Sequence, residues 1–170
     1  MNILILGSDG QLGMSYKKIS SEFGFNLNFK NKKQVDITKP KLSIFKDVDF
    51  IINCAAYTNV DGAENDEKLA FNINSSSLHK LSEISNKFQA PLIHYSTDYL
   101  FNEIIENPIS EKCIPNPQSV YAKSKLSGEE VLSENCDKYL IIRTSWVYSE
   151  YGKNFLKTII EKGLKGDDLK

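Results

Sequence analysis

The chain has 170 residues, 41% of them apolar and 25% charged, with a formal net charge of −1. That length builds one domain with a sizeable core and is too short for two ordinary ones, so residues 1–170 are read as a single domain. The near-neutral charge, with lysine as almost the whole basic complement and Arg143 the single arginine, argues against a nucleic-acid surface, and no apolar run is long enough for a bilayer.

Short β-type runs alternate with longer helical stretches. The first run, Asn2–Leu6, ends on a glycine, and a helix is expected over Leu12–Phe23. Strands follow at Phe25–Phe29, Val48–Cys54, Pro91–Ser96 and Tyr139–Thr144; helices are expected at Pro40–Phe45, Lys68–Phe88, Val120–Glu134 and Asn154–Lys162. The runs at Val48 and Pro91 are nearly continuous in apolar residues, as strands buried on both faces are. Leu69, Ile73, Leu81, Ile84 and Phe88 recur at helical spacing and predict one apolar stripe against a sheet. The alternation predicts an α/β fold with a doubly wound parallel sheet, of the Rossmann-type three-layer kind. Asn102–Ser119 breaks the rhythm, holds Pro108, Pro115 and Pro117, and reads as a long loop walling an active site. After the last helix, Gly163–Lys170 reads as a turn toward a further strand, so a truncated protein or a fragment is expected.

The absence of a basic, apolar leader predicts a cytoplasmic, soluble protein with no membrane partner. Cys54, Cys113 and Cys136 form no C-x-x-C pair and read as reduced thiols, Cys54 as a small buried residue.

Gly7, Gly10 and Gly13 leave a strand and open a helix, the context of a dinucleotide fingerprint. Gly7 would allow the tight turn, Gly10 the approach of a pyrophosphate, and Gly13 close helix–strand packing, with the helix N-terminus facing the phosphates. The G-x-x-G-x-x-G spacing is that of short-chain reductases. Beyond the second strand no acid occurs before Asp36, and Lys30, Lys32 and Lys33 would attract a 2′-phosphate. NADPH is therefore expected, with NADH as the alternative if this is only a solvated basic turn. Asp36 would meet the adenine or cap the helix near Pro40.

Tyr121 and Lys125 stand four apart on one helix face. An ammonium beside the phenol would lower its pKa from about 10, and the tyrosine could then protonate a carbonyl oxygen while hydride arrives from a nicotinamide. The spacing alone is a weak signal in a lysine-rich chain; its place after a strand end and the long loop gives it weight. Ser96, Thr97 and Asp98 close a buried strand, where ligands bind in open α/β sheets. Asn53-Cys54-Ala55-Ala56 ends another, with small residues past which a cofactor could run.

Gly7-Ser8-Asp9-Gly10-Gln11-Leu12-Gly13, Val35-Asp36-Ile37-Thr38, Asn53-Cys54-Ala55-Ala56-Tyr57-Thr58, His94-Tyr95-Ser96-Thr97-Asp98-Tyr99, Tyr121–Glu129 and Arg143-Thr144-Ser145-Trp146-Val147-Tyr148 together resemble the dTDP-4-dehydrorhamnose reductase family, in order along the chain. The resemblance implies Tyr121 as proton donor, Lys125 as its partner and Thr97 as the residue that tunes it. It implies a cofactor site of Gly7, Gly10, Gln11, Leu12, Gly13, Asp36, Ile37, Ala56, Tyr57, Thr58, Tyr95 and Lys125. Thr97, Asp98 and Trp146 would touch a nucleotide-sugar substrate, and Asn74 resembles an asparagine that acts through a water.

Family members are longer and carry a C-terminal substrate-binding part, which implies a homodimer or a partner to supply it. Ser15 stands where some relatives place a metal-binding carboxylate, so no metal is expected. An epimerase or dehydratase of the same fold, and a non-catalytic or regulatory module, remain the alternatives.

Overall fold

A computed structural model describes residues 1–22, 24–101 and 108–166. Five parallel strands, β1 (Asn2–Leu6), β2 (Asn26–Lys30), β3 (Phe50–Asn53), β4 (Leu92–Thr97) and β5 (Tyr139–Thr144), lie in the order β2-β1-β3-β4-β5. Both faces of β1 are buried. Leu4 and Leu6 join Phe45, Ile51, Leu78, Leu81 and Leu92 on one side; Ile3 and Ile5 join Ile52, Tyr16 and Tyr95 on the other. Covering both faces requires helices on both, and α1 (Gln11–Ile19) takes one while α4 (Ser77–Phe88) and α5 (Val120–Asn135) take the other. The sheet is the doubly wound parallel one that the alternation predicts. The strand order reverses direction between β1 and β3, and such a switch point opens a crevice at the carboxyl ends of the strands.

All five strands form within two residues of their expected bounds, but the helices depart further. Pro40–Phe45 yields only a 3₁₀ turn at Leu42–Phe45, and α1 ends at Ile19 before a 3₁₀ turn at Ser20–Glu22. A short helix the sequence reading missed, α2 (Val60–Ala63), is capped by Asn59, whose side chain accepts from Gly62 N–H at 3.1 Å.

The single helix expected over Lys68–Phe88 is three pieces: α3 (Glu67–Phe71), a π-helical turn at Asn72–Ser76, and α4. Asn72-Ile73-Asn74-Ser75-Ser76 is rich in side chains that compete for backbone hydrogen bonds, and Ser77 Oγ donates to Ile73 O at 2.6 Å, which loosens the α ladder there. The last helix, α6, spans Phe155–Lys165 and stops on Gly166 in the left-handed region. Phe23, Asn102–Asn107 of the expected loop and Asp167–Lys170 of the expected C-terminal turn lie outside the described residues. The rest of that loop, from Pro108 to Ser119, carries no regular element.

Candidate active site

A cleft of about 1470 Å³ opens at the carboxyl ends of β1, β3 and β4. Gly7 turns the chain out of β1 at φ 75°, and a Cβ there would stand 2.6 Å from the Ala55 nitrogen beyond β3. A Cβ on Gly13 would stand 2.6 Å from the Gly7 oxygen, so α1 lies directly on the turn. Gly10, extended at φ −76°, caps α1 without a side chain and leaves the first N–H groups of that helix open to the cleft.

Tyr121 sits at the start of α5, which Ser119 caps by accepting from Ala122 N–H at 3.1 Å. The Tyr121 ring meets Tyr99 edge-on, 6.0 Å between centroids. Its phenol is pushed up from its ordinary pKa by burial, against a hydrogen bond from Thr97 that pulls it down.

Lys125, one turn on, is 2% exposed. Its Nζ donates to Tyr95 O at 2.6 Å and lies 3.0 Å from His94 Nε2. Burial pulls its pKa down to about 8, with Glu129 opposing. The expected lowering of the tyrosine by a neighbouring ammonium is not what this arrangement produces: burial dominates at Tyr121, and Lys125 is turned toward β4. Ser96 Oγ is buried and, among the described residues, has no hydrogen-bond partner, which leaves a donor and acceptor on the cleft wall.

A family model described as the RmlD substrate binding domain matches residues 1–170. The chain belongs to that family. It is 39% identical over 171 residues to the dTDP-4-dehydrorhamnose reductase of Salmonella typhimurium strain LT2, covering 94% of this chain and 56% of that one. A dTDP-4-dehydrorhamnose reductase structure from Clostridium acetobutylicum superposes with a TM-score of 0.91 at 37% identity, over 97% of this chain and 60% of that one. One from Bacillus anthracis, in complex with NADP, superposes at 0.85 and 36% identity, over 96% of this chain and 60% of that one. The chain thus spans somewhat over half the length of these relatives.

Within this member of the RmlD family, the cleft gathers nearly all the residues expected from the sequence. Gly7, Gly10, Gln11, Leu12, Asp36, Ile37, Ala56, Thr58 and Tyr95 line it together with Thr97, Asp98, Tyr121, Lys125 and Trp146. Two residues of the expected cofactor site do not line it. Gly13 is buried in the packing of α1 on the turn, and Tyr57 is held by its backbone: its N–H donates to Asn74 Oδ1 at 2.8 Å and its carbonyl accepts from Asn74 Nδ2 at 3.0 Å. Asn74 also donates to Ser124 Oγ at 2.9 Å. Its amide is therefore a clamp between the segment after β3 and α5.

Asp36 lines the cleft, and its Oδ1 accepts from Thr38 N–H at 2.9 Å and Thr38 Oγ1 at 2.7 Å. These bonds hold its pKa below the usual range. It caps no helix at Pro40. Gln11 Oε1 accepts from Asn154 Nδ2 at 2.9 Å and Ser149 Oγ at 3.1 Å, joining the glycine turn to the segment before α6. Trp146 has φ 50°, costly for a bulky side chain, and packs on Phe155 at 4.6 Å while staying 62% exposed. Asp98 Oδ2 accepts from Ser145 Oγ at 2.7 Å, which ties the end of β4 to that Trp146 turn.

Among residues the sequence reading did not single out, Lys153, Phe155 and Leu156 line the cleft from the α6 side and Asn72 from the π turn. Cys54 lines it too, half-buried, with its thiol pushed up to about 12 by burial. Among the described residues the three cysteines are free, no cluster of three or more His, Cys, Asp or Glu could hold a metal, and no helix is long and apolar enough to cross a membrane.

Proposed function

We propose that this chain holds NADPH and is the catalytic part of a reductase that converts the 4-keto group of dTDP-4-dehydro-β-L-rhamnose to the alcohol, giving dTDP-β-L-rhamnose. The observation that carries the reading is the convergence of Tyr121, Lys125 and Thr97 on the same cleft as the glycine turn.

The residues present fit such a cofactor. The turn at Gly7 approaches Ala55 too closely for any side chain, the open N–H groups of α1 suit a pyrophosphate, and the orphan Ser96 hydroxyl offers a hydrogen bond to a ligand. Lys32 on the cleft wall favours the 2′-phosphate of NADPH over NADH. When bound, the nicotinamide supplies the hydride. Tyr121 supplies the proton to the carbonyl oxygen; its raised pKa keeps that proton in place until it is needed. Thr97 orients the phenol, while Asp98 and Trp146 bound the sugar side. The same reading places the reaction in the cytoplasm, where three unpaired cysteines stay reduced.

The test is NADPH oxidation with the 4-keto sugar nucleotide, comparing this chain with Tyr121→Phe. Loss of the general acid should lower kcat by about 10²-fold or more. Turnover by Tyr121→Phe equal to the parent rejects the assignment. Cofactor binding without turnover by either chain supports the second reading, a cofactor-holding module whose sugar pocket another polypeptide completes. Trp146, Phe155 and Leu156, all on the cleft and 45% or more exposed, favour that reading.

A further inference from the structure

Helix α5 carries Tyr121 and Lys125, and two of its charged side chains tie it to the sheet at neighbouring points. Lys125 Nζ donates to Tyr95 O of β4 at 2.6 Å. One turn later Glu129, 6% exposed, meets Arg143 of β5, whose Nε donates to Oε1 at 3.0 Å and whose Nη2 donates to Oε2 at 2.7 Å. In the β4–β5 register Tyr95 pairs with Ile142 and Ser96 with Arg143, so the two anchors fall on consecutive positions of the sheet. Arg143 is the chain's single arginine, and its guanidinium presents a rigid fork, which lysine lacks, to both oxygens of the carboxylate. So held, Glu129 is an anion inside the protein.

Lys125 stands four residues before Glu129 on the same helix face. Together with burial, its positive charge holds His94 well below the usual pKa, so the ring is uncharged. An ammonium has no acceptor, so His94 Nε2 offers its lone pair to Nζ at 3.0 Å. The ring proton then sits on Nδ1, where the backbone of Asn53, the cross-strand neighbour on β3, accepts it. Burial works against the Lys125 charge, and Glu129 works for it. A fixed anion one turn away acts far more strongly in such a site than it would in water.

We propose that Glu129 and Arg143 are positioning residues of this cleft: Arg143 fixes the Glu129 carboxylate beside the contact of α5 with β4, and that carboxylate keeps Lys125 an ammonium. A buried ion pair adds little net stability over a well-packed apolar pair, so its use here is the charge that it places. Of the three ammonium donors, Tyr95 and His94 take two, and a third remains for a ligand in the cleft. The bearing of this on turnover rests on the reductase reading, in which Lys125 partners Tyr121.

Among the described residues, the other ionisable groups around Lys125 are otherwise engaged. On α5 itself burial keeps the proton on Tyr121, and Lys123 and Glu130 are exposed. The Tyr95 phenol of β4 pairs with Tyr16 of α1, and Cys54, after β3, is held as the thiol by burial. Asp98 accepts from Ser145 and, with Tyr99, acts on Tyr121. Asp61 of α2 is exposed, as is Glu64, which accepts from Val120 N–H at 2.8 Å. Glu67 and Lys68 of α3, and His79, Lys80, Glu83 and Lys87 of α4, are exposed too.

The experiment follows the charge of Lys125 from neutral to alkaline pH by the NMR signal of its Cε in the ¹³C-labelled full chain, assigned with Lys125→Arg. In Glu129→Gln, which keeps the shape of the side chain and an acceptor for Arg143, the pH of half-charge should fall by about half a unit or more. In Arg143→Gln the carboxylate loses its partner and acts on Lys125 alone, so that pH should rise. The double variant Glu129→Gln/Arg143→Gln, which leaves no charge in the pair, should fall as Glu129→Gln does. A pair that merely fastened the helix would behave otherwise: its loss would loosen α5, admit water and move every variant upward, toward the ordinary lysine value. A titration that rises or stays put in Glu129→Gln or in the double variant overturns the proposal, as does one that fails to rise in Arg143→Gln. Should Arg143→Gln not fold, Glu129→Gln and the double variant decide. These signals are read without cofactor or substrate, so a reductase assay that fails leaves them unchanged, and an unmoved signal leaves the assay unchanged.

Discussion

At the scale of single residues, the site is organised around a buried lysine, and that burial has a thermodynamic signature. Lys125 has its pKa drawn down from 10.5 to about 8 in the folded chain. Between those values the unfolded chain binds the proton that the folded one has shed, so stability from this group rises with pH across the interval. It is fully present above 10.5 and lost as pH falls through about 8. The full difference is on the order of 3 kcal/mol. Lys125→Met has no proton to lose. The stability of the parent chain relative to Lys125→Met should therefore climb between pH 7 and 10 in urea titrations, other alkaline effects cancelling in the comparison. A difference flat across that range would mean that Lys125 is not buried as a base. The Tyr121–Lys125 pair was legible because both residues lie on one helix, where spacing alone fixes the shared face. The Asn53–His94 pair was not, because the two lie on different strands and meet only through the β3–β4 register. The available signal was a polar side chain inside each of two apolar strands, since a buried polar group always needs a partner.

At the scale of elements, the strands could be read closely because a continuous apolar run has one good destination, the middle of a sheet. The stripe from Leu69 to Phe88 misled because a periodic pattern does not show where a helix changes its winding. The π turn at Asn72–Ser76 shifts the face presented by the residues before it. Leu81 and Ile84 stay in the core, while Leu69 comes out 44% exposed on the cleft wall. That turn also meets α5 at its closest approach. A Cβ on Gly128 would stand 2.1 Å from the Asn74 backbone oxygen and 2.8 Å from Leu78 Cδ1. Backbone cannot step aside as a side-chain tip can, so α5 would have to lift. Gly128→Ala raises helix propensity by about 1 kcal/mol and should nonetheless destabilise the chain by about 1–3 kcal/mol. Because Lys125 and Tyr121 ride on α5, nucleotide affinity should fall with it. A urea midpoint at or above that of the parent would refute this account of the helix contact.

At the scale of the whole molecule, burial is distributed unevenly, and the cleft lies across the gradient. Leu4, Ile5, Leu6, Ile51 and Leu92 are wholly buried in the three central strands. At the other extreme α6 has no buried residue, and its Phe155, Leu156, Ile160 and Leu164 are all exposed. Eleven residues of helix are marginal in water on their own. Among its contacts are its Asn154 cap on Lys157 N–H at 3.0 Å, the Gln11 bonds to Ser149 and Asn154, the packing of Phe155 on Trp146, and the Lys18–Glu150 ion pair. The ion pair is solvent-exposed, and such pairs contribute little. The wall of the cleft built from Trp146 to Leu156 should therefore open without unfolding the sheet. Native-state amide exchange measures this directly. Amides of β1 and β3 should exchange only through global unfolding, with rates that follow urea. Those of α6 should exchange orders of magnitude faster and respond little to low urea. Gln11→Ala, which removes the bond between the glycine turn and the α6 cap, should speed α6 further and leave β1 and β3 slow. Protection in α6 equal to that in β1 would show that the fold holds this wall as firmly as its core, and would shift the source of any mobility in the cleft to the glycine turn.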